Sequence, residues 1–126
     1  MQSHPSYPIL SGYLKKYPSA ASSLFQTYND ITYAQLWLDV SVVDLGDEFK
    51  RAAIRGRRKM GAEDGGGVSE DFSYVFPCSL AEAFPYERLQ KVFSSLGIEK
   101  MFMAVTSEDA SIVYYKISAG IVKPPV

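Results

Sequence analysis

Two adjoining segments near the C-terminal end constrain this chain more than anything else in it. Residues 101–106 read MFMAVT and residues 111–117 read SIVYYKI, with Ser107, Glu108, Asp109 and Ala110 between them. Both runs are short, apolar, rich in β-branched and aromatic side chains, and bounded by turn residues. That pattern predicts two strands joined by an acidic turn. Side chains alternate along a strand, so Ile112 and Tyr114 fall on one face and Val113, Tyr115 and Ile117 on the other. A strand that is apolar on both faces has to be covered on both, either inside a layered domain or by another chain.

The rest of the sequence supplies the layers. Leu24, Phe25, Tyr28 and Ile31 recur at helical spacing and predict a helix over residues 19–33 with Ser19 as its N-cap. A shorter helix over 11–17 ends at Pro18. Leu38, Val40 and Val42 alternate with Asp39, Ser41 and Val43, which predicts a strand over 36–44 with Trp37 on the face opposite Leu38. A further strand over 72–76 is closed by Pro77. Pro85 then opens a helix whose Leu89, Val92, Phe93 and Leu96 form a buried stripe, and Gly97 ends it. The order of helices, strand, loop, strand, helix, strand, strand predicts an α/β domain with a mixed β-sheet and flanking helices.

With 126 residues, 47% of them hydrophobic, the chain has the length and apolar content for one domain over residues 1–126. A formal charge of −1 excludes a dedicated polybasic nucleic-acid coat, so any RNA contact is local. Cys78 is the single cysteine, which excludes an intrachain disulfide and a CxxC metal site. No run approaches the ~20 apolar residues of a membrane span. The opening MQSHPSYPIL lacks the basic-then-apolar pattern of a secretory signal.

Residues 46–71 differ in kind. Six of the 13 basic residues fall between Lys50 and Lys59, and Gly61, Gly65, Gly66 and Gly67 follow with acids between them. This predicts a flexible surface loop with a helical turn over 47–55. Arg55, Arg57, Arg58 and Lys59 are candidates for contact with an RNA backbone; a solvated basic face is the alternative. The glycine run has no Lys-Ser/Thr after it and is flanked by Glu63, Asp64, Glu70 and Asp71, so it reads as a linker rather than a phosphate cradle. The one histidine, His4, lies in a proline-punctuated segment outside every predicted core element. Asp39 and Asp44 are not at same-face strand spacing, and Glu108 and Asp109 sit in a turn. The residues assemble no complete catalytic set and call for no cofactor and no metal.

The C-terminal block Met101-Phe-Met-Ala-Val-Thr-Ser-Glu-Asp-Ala-Ser-Ile-Val-Tyr-Tyr-Lys-Ile-Ser-Ala-Gly-Ile-Val-Lys-Pro resembles the small non-catalytic subunit of the eukaryotic tRNA-splicing endonuclease, particularly of fungal type. In that family an apolar strand runs through an acidic, serine-containing turn into "S-x-VYY" and on to "IVKP". Phe76-Pro77 followed by Arg88, Leu89 and Val92 resembles the family's "V-x-P…R-h-h-x-h-h" block, Leu36-Trp37-Leu38-Asp39 its "LWTD" segment, and His4-Pro5-Ser6-Tyr7 its "HPxY". Residues 45–70 do not match.

The resemblance implies the fold of the tRNA-intron endonuclease catalytic domain (restriction-endonuclease-like), shared by all four subunits. It implies a structural subunit, not an enzyme, that pairs with a catalytic subunit strand to strand and helps assemble a heterotetramer acting on pre-tRNA. Ile112, Val113, Tyr114, Tyr115 and Ile117 would form that interface, which agrees with the two-sided apolar character already noted. Glu108 and Asp109 would be an acidic docking loop. Active relatives use a Tyr/His/Lys set; Lys100 stands about where they carry their lysine, but no histidine other than His4 precedes it. The resemblance also implies a nuclear location, or the cytosolic face of mitochondria in some fungi; for the isolated chain, a monomer and a homodimer through the same strand are both open on the sequence. A free-standing homodimeric nuclease or RNA-binding domain is the alternative from another class.

Overall fold

The computed structural model describes residues 7–46, 48–58, 67, 71–80 and 85–119. In chain order the elements are α1 (Tyr7–Lys16), α2 (Ala21–Asn29), β1 (Leu38–Asp44), β2 (Ala52–Arg57), β3 (Ser73–Ser79), α3 (Tyr86–Leu96), β4 (Lys100–Thr106) and β5 (Ile112–Ser118). A 3-10 turn, Pro18–Ala20, leads into α2, and a π-helical turn, Asp30–Ala34, leads out of it. The five strands form one sheet in the order β1-β2-β3-β4-β5. It is mixed: β3 and β4 are parallel, joined through α3, and every other neighbouring pair is antiparallel. A parallel pair needs a crossover, and α3 is that crossover.

Alternation along the strands divides the core in two. On one face Ala52, Ile54, Val75 and Ala104 meet Leu10 and Leu14 of α1, Leu24 and Tyr28 of α2, and Ile31 and Trp37. On the other, Ala53, Phe76, Cys78 and Met101 meet Val92 and Phe93 of α3 together with Leu45 and Phe49. The result is a three-layer α/β/α arrangement, and the α/β reading of the sequence holds.

Three local expectations give way. The loop expected over 46–71 contains the strand β2, whose Ala52, Ala53 and Ile54 are buried, and the helical turn expected over 47–55 shrinks to one turn in which the Lys50 N–H donates to the Gly46 carbonyl at 3.0 Å. Small side chains let this strand run between two packed layers, while the arginines around it hold their guanidinium groups over aromatic rings: Arg51 over Phe76, Arg55 over Phe72 and Arg58 over Phe102. Residues 59–66 and 68–70 lie outside the described residues, as do His4 and Lys59.

Pro77 does not close β3; it is buried within it, opposite Ala104 of β4. The β2–β3 ladder runs only from Ser73 to Val75, so Pro77 lies beyond it, and its carbonyl oxygen instead accepts a hydrogen bond from Arg51 Nη1 at 2.9 Å. Ser19 does not cap a helix. The chain enters α2 through the 3-10 turn begun by Pro18, and neither Tyr17 nor Ala20, the residues at the cap positions, makes a side-chain capping bond. Gly97 ends α3 as expected, with φ 67, and it receives no Cβ clash there because the space around it is open.

Candidate protein–protein interface

β5 is an edge strand, paired with β4 in unbroken register from Lys100 opposite Ser118 to Thr106 opposite Ile112. Its other edge carries alternating N–H and C=O groups, and among the described residues no strand lies beside them. The strand's five apolar residues separate by parity. Ile112 and Tyr114 face the α1/α2 layer and pack, half-buried, on its core. Ile117 packs, half-buried, on the α3 side. Val113 and Tyr115, also on the α3 side, are 51% and 54% exposed, because α3 does not reach over this part of the sheet.

Tyr114 is held by more than packing. Its O–H donates to Asp30 Oδ2 at 2.6 Å, Gln35 Nε2 donates to the same oxygen at 2.7 Å, and Trp37 Nε1 donates to Gln35 Oε1 at 3.0 Å. Burial, followed by the hydrogen bond to Asp30, raises the Tyr114 hydroxyl above the ordinary tyrosine range. This chain of bonds anchors β5 to the turn after α2, so the strand is fixed on one face while the opposite face stays open.

The opposite edge of the sheet is built differently. In β1 the register shifts between Leu38 and Ser41, Asp39 has φ 53, and its carboxylate pairs with Arg57 at 2.8 Å. A bulge and a charge pair are devices that discourage further pairing. β5 has no register shift against β4, and Lys116 is the one charged side chain along it. The two edges therefore differ in kind: one is blunted and the other is straight.

The turn before β5 is ordered by its own side chains. Asp109 Oδ1 accepts from Ser111 Oγ at 2.7 Å, Ser107 Oγ at 2.7 Å and the Ser111 backbone N–H at 3.1 Å. These bonds, Ser111's first, hold the Asp109 carboxyl down at about 2. Glu108 is exposed beside it. Leu80, 71% exposed, adjoins the turn: its N–H donates to the Thr106 carbonyl at 2.8 Å, and it helps line a shallow depression with Ser107, Glu108 and Asp109. Sequence reading missed Leu80, since a single leucine after a strand carries no periodic signal.

The basic candidates do not form one patch. Arg57 is paired with Asp39, and the Arg55 guanidinium lies 3.6 Å from the Phe72 ring centroid. Arg58 instead faces the cleft that also holds Lys100 and Lys116. Among the described residues no group of His, Cys, Asp and Glu is placed to hold a metal ion, and no helix is long and apolar enough to cross a membrane.

Comparison with known proteins matches the sequence to one family. The family model described as Sen15 protein matches residues 26–126. The chain is 35% identical to the tRNA-splicing endonuclease subunit SEN15 of Eremothecium gossypii, over 76% of this chain and 83% of that protein. It is 28% identical to the probable tRNA-splicing endonuclease subunit sen15 of Schizosaccharomyces pombe, over 75% of this chain and 76% of that one.

Proposed function

Because the chain belongs to the Sen15 family of tRNA-splicing endonuclease subunits, we propose that it joins that complex through β5 and leaves bond cleavage to other subunits. The observation that carries this reading is the straight, unblunted edge of β5 with Val113 and Tyr115 exposed beside it. A partner strand laid along the edge would pair over seven residues, about 23 Å at the usual rise per residue. Side chains from that partner would cover Val113 and Tyr115, contributing on the order of 1 kcal/mol for each half-exposed residue.

The acidic turn extends the same surface. Glu108 and Asp109 stand at the start of β5, next to exposed Leu80, so a partner presenting a basic rim around an apolar pocket would fit both. The non-catalytic assignment rests on the histidine census: His4 is the one imidazole in 126 residues, and imidazole is the side chain most often used as a general acid near neutral pH. A mixed sheet between helical layers is compatible with the endonuclease subunit domain, which this reading takes as the fold.

The test is co-purification with the other subunits of the complex. Val113→Asp and Tyr115→Asp place a charge where a partner would desolvate it and are expected to abolish recovery of the chain with its partners. Both positions are exposed in the isolated chain, so folding of the variants is expected to persist, checked by circular dichroism. Stoichiometric recovery of folded variants would overturn the reading. Incubating the purified chain alone with an intron-containing pre-tRNA is expected to give no product; a cyclic-phosphate end would overturn the non-catalytic assignment.

A further inference from the structure

A cleft of about 290 Å³ opens at the end of the sheet away from the acidic turn. Among the described residues, three cations from three different segments converge on it, Arg58 after β2, Lys100 at the start of β4 and Lys116 in β5, with one carboxylate, Asp71, at its border. Strand parity explains the convergence. Lys100 and Phe102 share a face, and Lys116 lies directly across from Phe102 in the β4–β5 register. The Phe102 ring is the floor; Trp37 meets it edge-on at 6.3 Å, and the Arg58 guanidinium lies 4.9 Å from its centroid. A guanidinium held over a ring keeps its in-plane N–H donors available to an oxyanion.

Lys100 and Lys116 are exposed, and neither belongs to the ion pairs found among the described residues, Lys16–Asp44 and Arg57–Asp39. Among the described residues, three converging cations against one carboxylate, in a chain of net charge −1, mark a local site for an anion rather than a general basic surface. We propose that this cleft, formed by Arg58, Lys100 and Lys116 around Phe102, holds the phosphodiester backbone of a single-stranded RNA. The choice of RNA over an acidic peptide rests on membership of an RNA-processing complex; the convergence of charge does not. The site lies on the sheet face opposite Val113 and Tyr115, so RNA and a partner strand along β5 do not compete for it.

The probe is a fluorescein-labelled ten-nucleotide oligouridylate titrated into the full-length chain over a range of salt. Three phosphate contacts to a single strand correspond to a slope of log K against log salt of about −2. Lys100→Gln with Lys116→Gln is expected to weaken binding about tenfold or more at low salt and to bring the slope to about −0.7. Arg57→Gln, at a cation already paired, is expected to leave both nearly unchanged. Circular dichroism confirms that each variant is folded, and co-purification with partner subunits is expected to survive the lysine changes. Unchanged RNA affinity in the folded double variant, or equal loss with Arg57→Gln, would overturn the proposal. So would displacement of the RNA by oligoglutamate at equal concentration. Any of these results with co-purification intact would leave the assignment to the complex standing.

Discussion

Tyr114 and Tyr115 are adjacent and chemically identical, yet the strand gives them opposite roles. Tyr114 points to the α1/α2 layer and donates to Asp30; Tyr115 points outward and is 54% exposed. Removing the Tyr114 hydroxyl leaves a partly buried carboxylate with one donor fewer, so Tyr114→Phe is expected to lower stability by about 1–2 kcal/mol, measured by urea unfolding. Tyr115→Phe is expected to change it by under about 0.5 kcal/mol. The alternation of strand side chains told the two apart by face from the sequence. Which face was closed was not legible, because the closing group, Asp30, is 84 residues distant along the chain.

Asp44 gives a pH dependence at the same scale. Its carboxyl is held down at about 2, first by Lys16 at 2.7 Å, then by the Tyr17 hydroxyl at 2.5 Å and the Gly46 N–H at 2.8 Å. In the unfolded chain the same group titrates at its ordinary value of 3.8. Between these values the unfolded state binds the proton and the folded state does not, so this stabilisation is complete above about pH 4 and is lost as pH falls toward 2. Asp109 acts with the same sign. Asp44→Asn is therefore expected to reduce, without abolishing, the fall in melting temperature over that range.

Among the elements, β2 shows where pattern reading stops. Periodicity found α2, α3, β1, β4 and β5 because each pairs one apolar face with one more polar face, or is plainly apolar on both. β2 carries Ala52, Ala53, Ile54 and Gly56 among four arginines, and neither alanine nor glycine signals a strand. Its strand character comes from neighbours: an antiparallel ladder on each side, and rings under the arginine guanidinium groups. Gly56 is part of that fit, since a Cβ there would lie 3.2 Å from both Trp37 Cε3 and Val40 Cγ2. Gly56→Ala is expected to cost about 1–2 kcal/mol in unfolding free energy, because the buried Trp37 ring and the Val40 side chain must both give way. A milder loss of about 1 kcal/mol is expected for Gly97→Ala, where the left-handed cap conformation rather than crowding is responsible.

At the scale of the whole molecule, the helical layers cover the middle of the sheet on both faces, Val113 and Tyr115 of β5 stay exposed, and a bulge blunts the opposite edge. Among the described residues, what stays open is the edge of β5, the acidic turn before it, and the basic cleft at the far end of the sheet. The strand was legible as a surface needing cover because its apolar residues fall on both faces. The cleft was not, because Arg58, Lys100 and Lys116 come together only through register between strands.

Amide hydrogen exchange along β5, compared between the isolated chain and the assembled complex, tests the edge-pairing proposal most directly. The expected result is strong added protection at alternate amides of Ile112–Ser118 on assembly, with the amides of Leu38–Asp44 in β1 unchanged. Unchanged exchange along β5, with protection arising at β1 or on the helices instead, would contradict it.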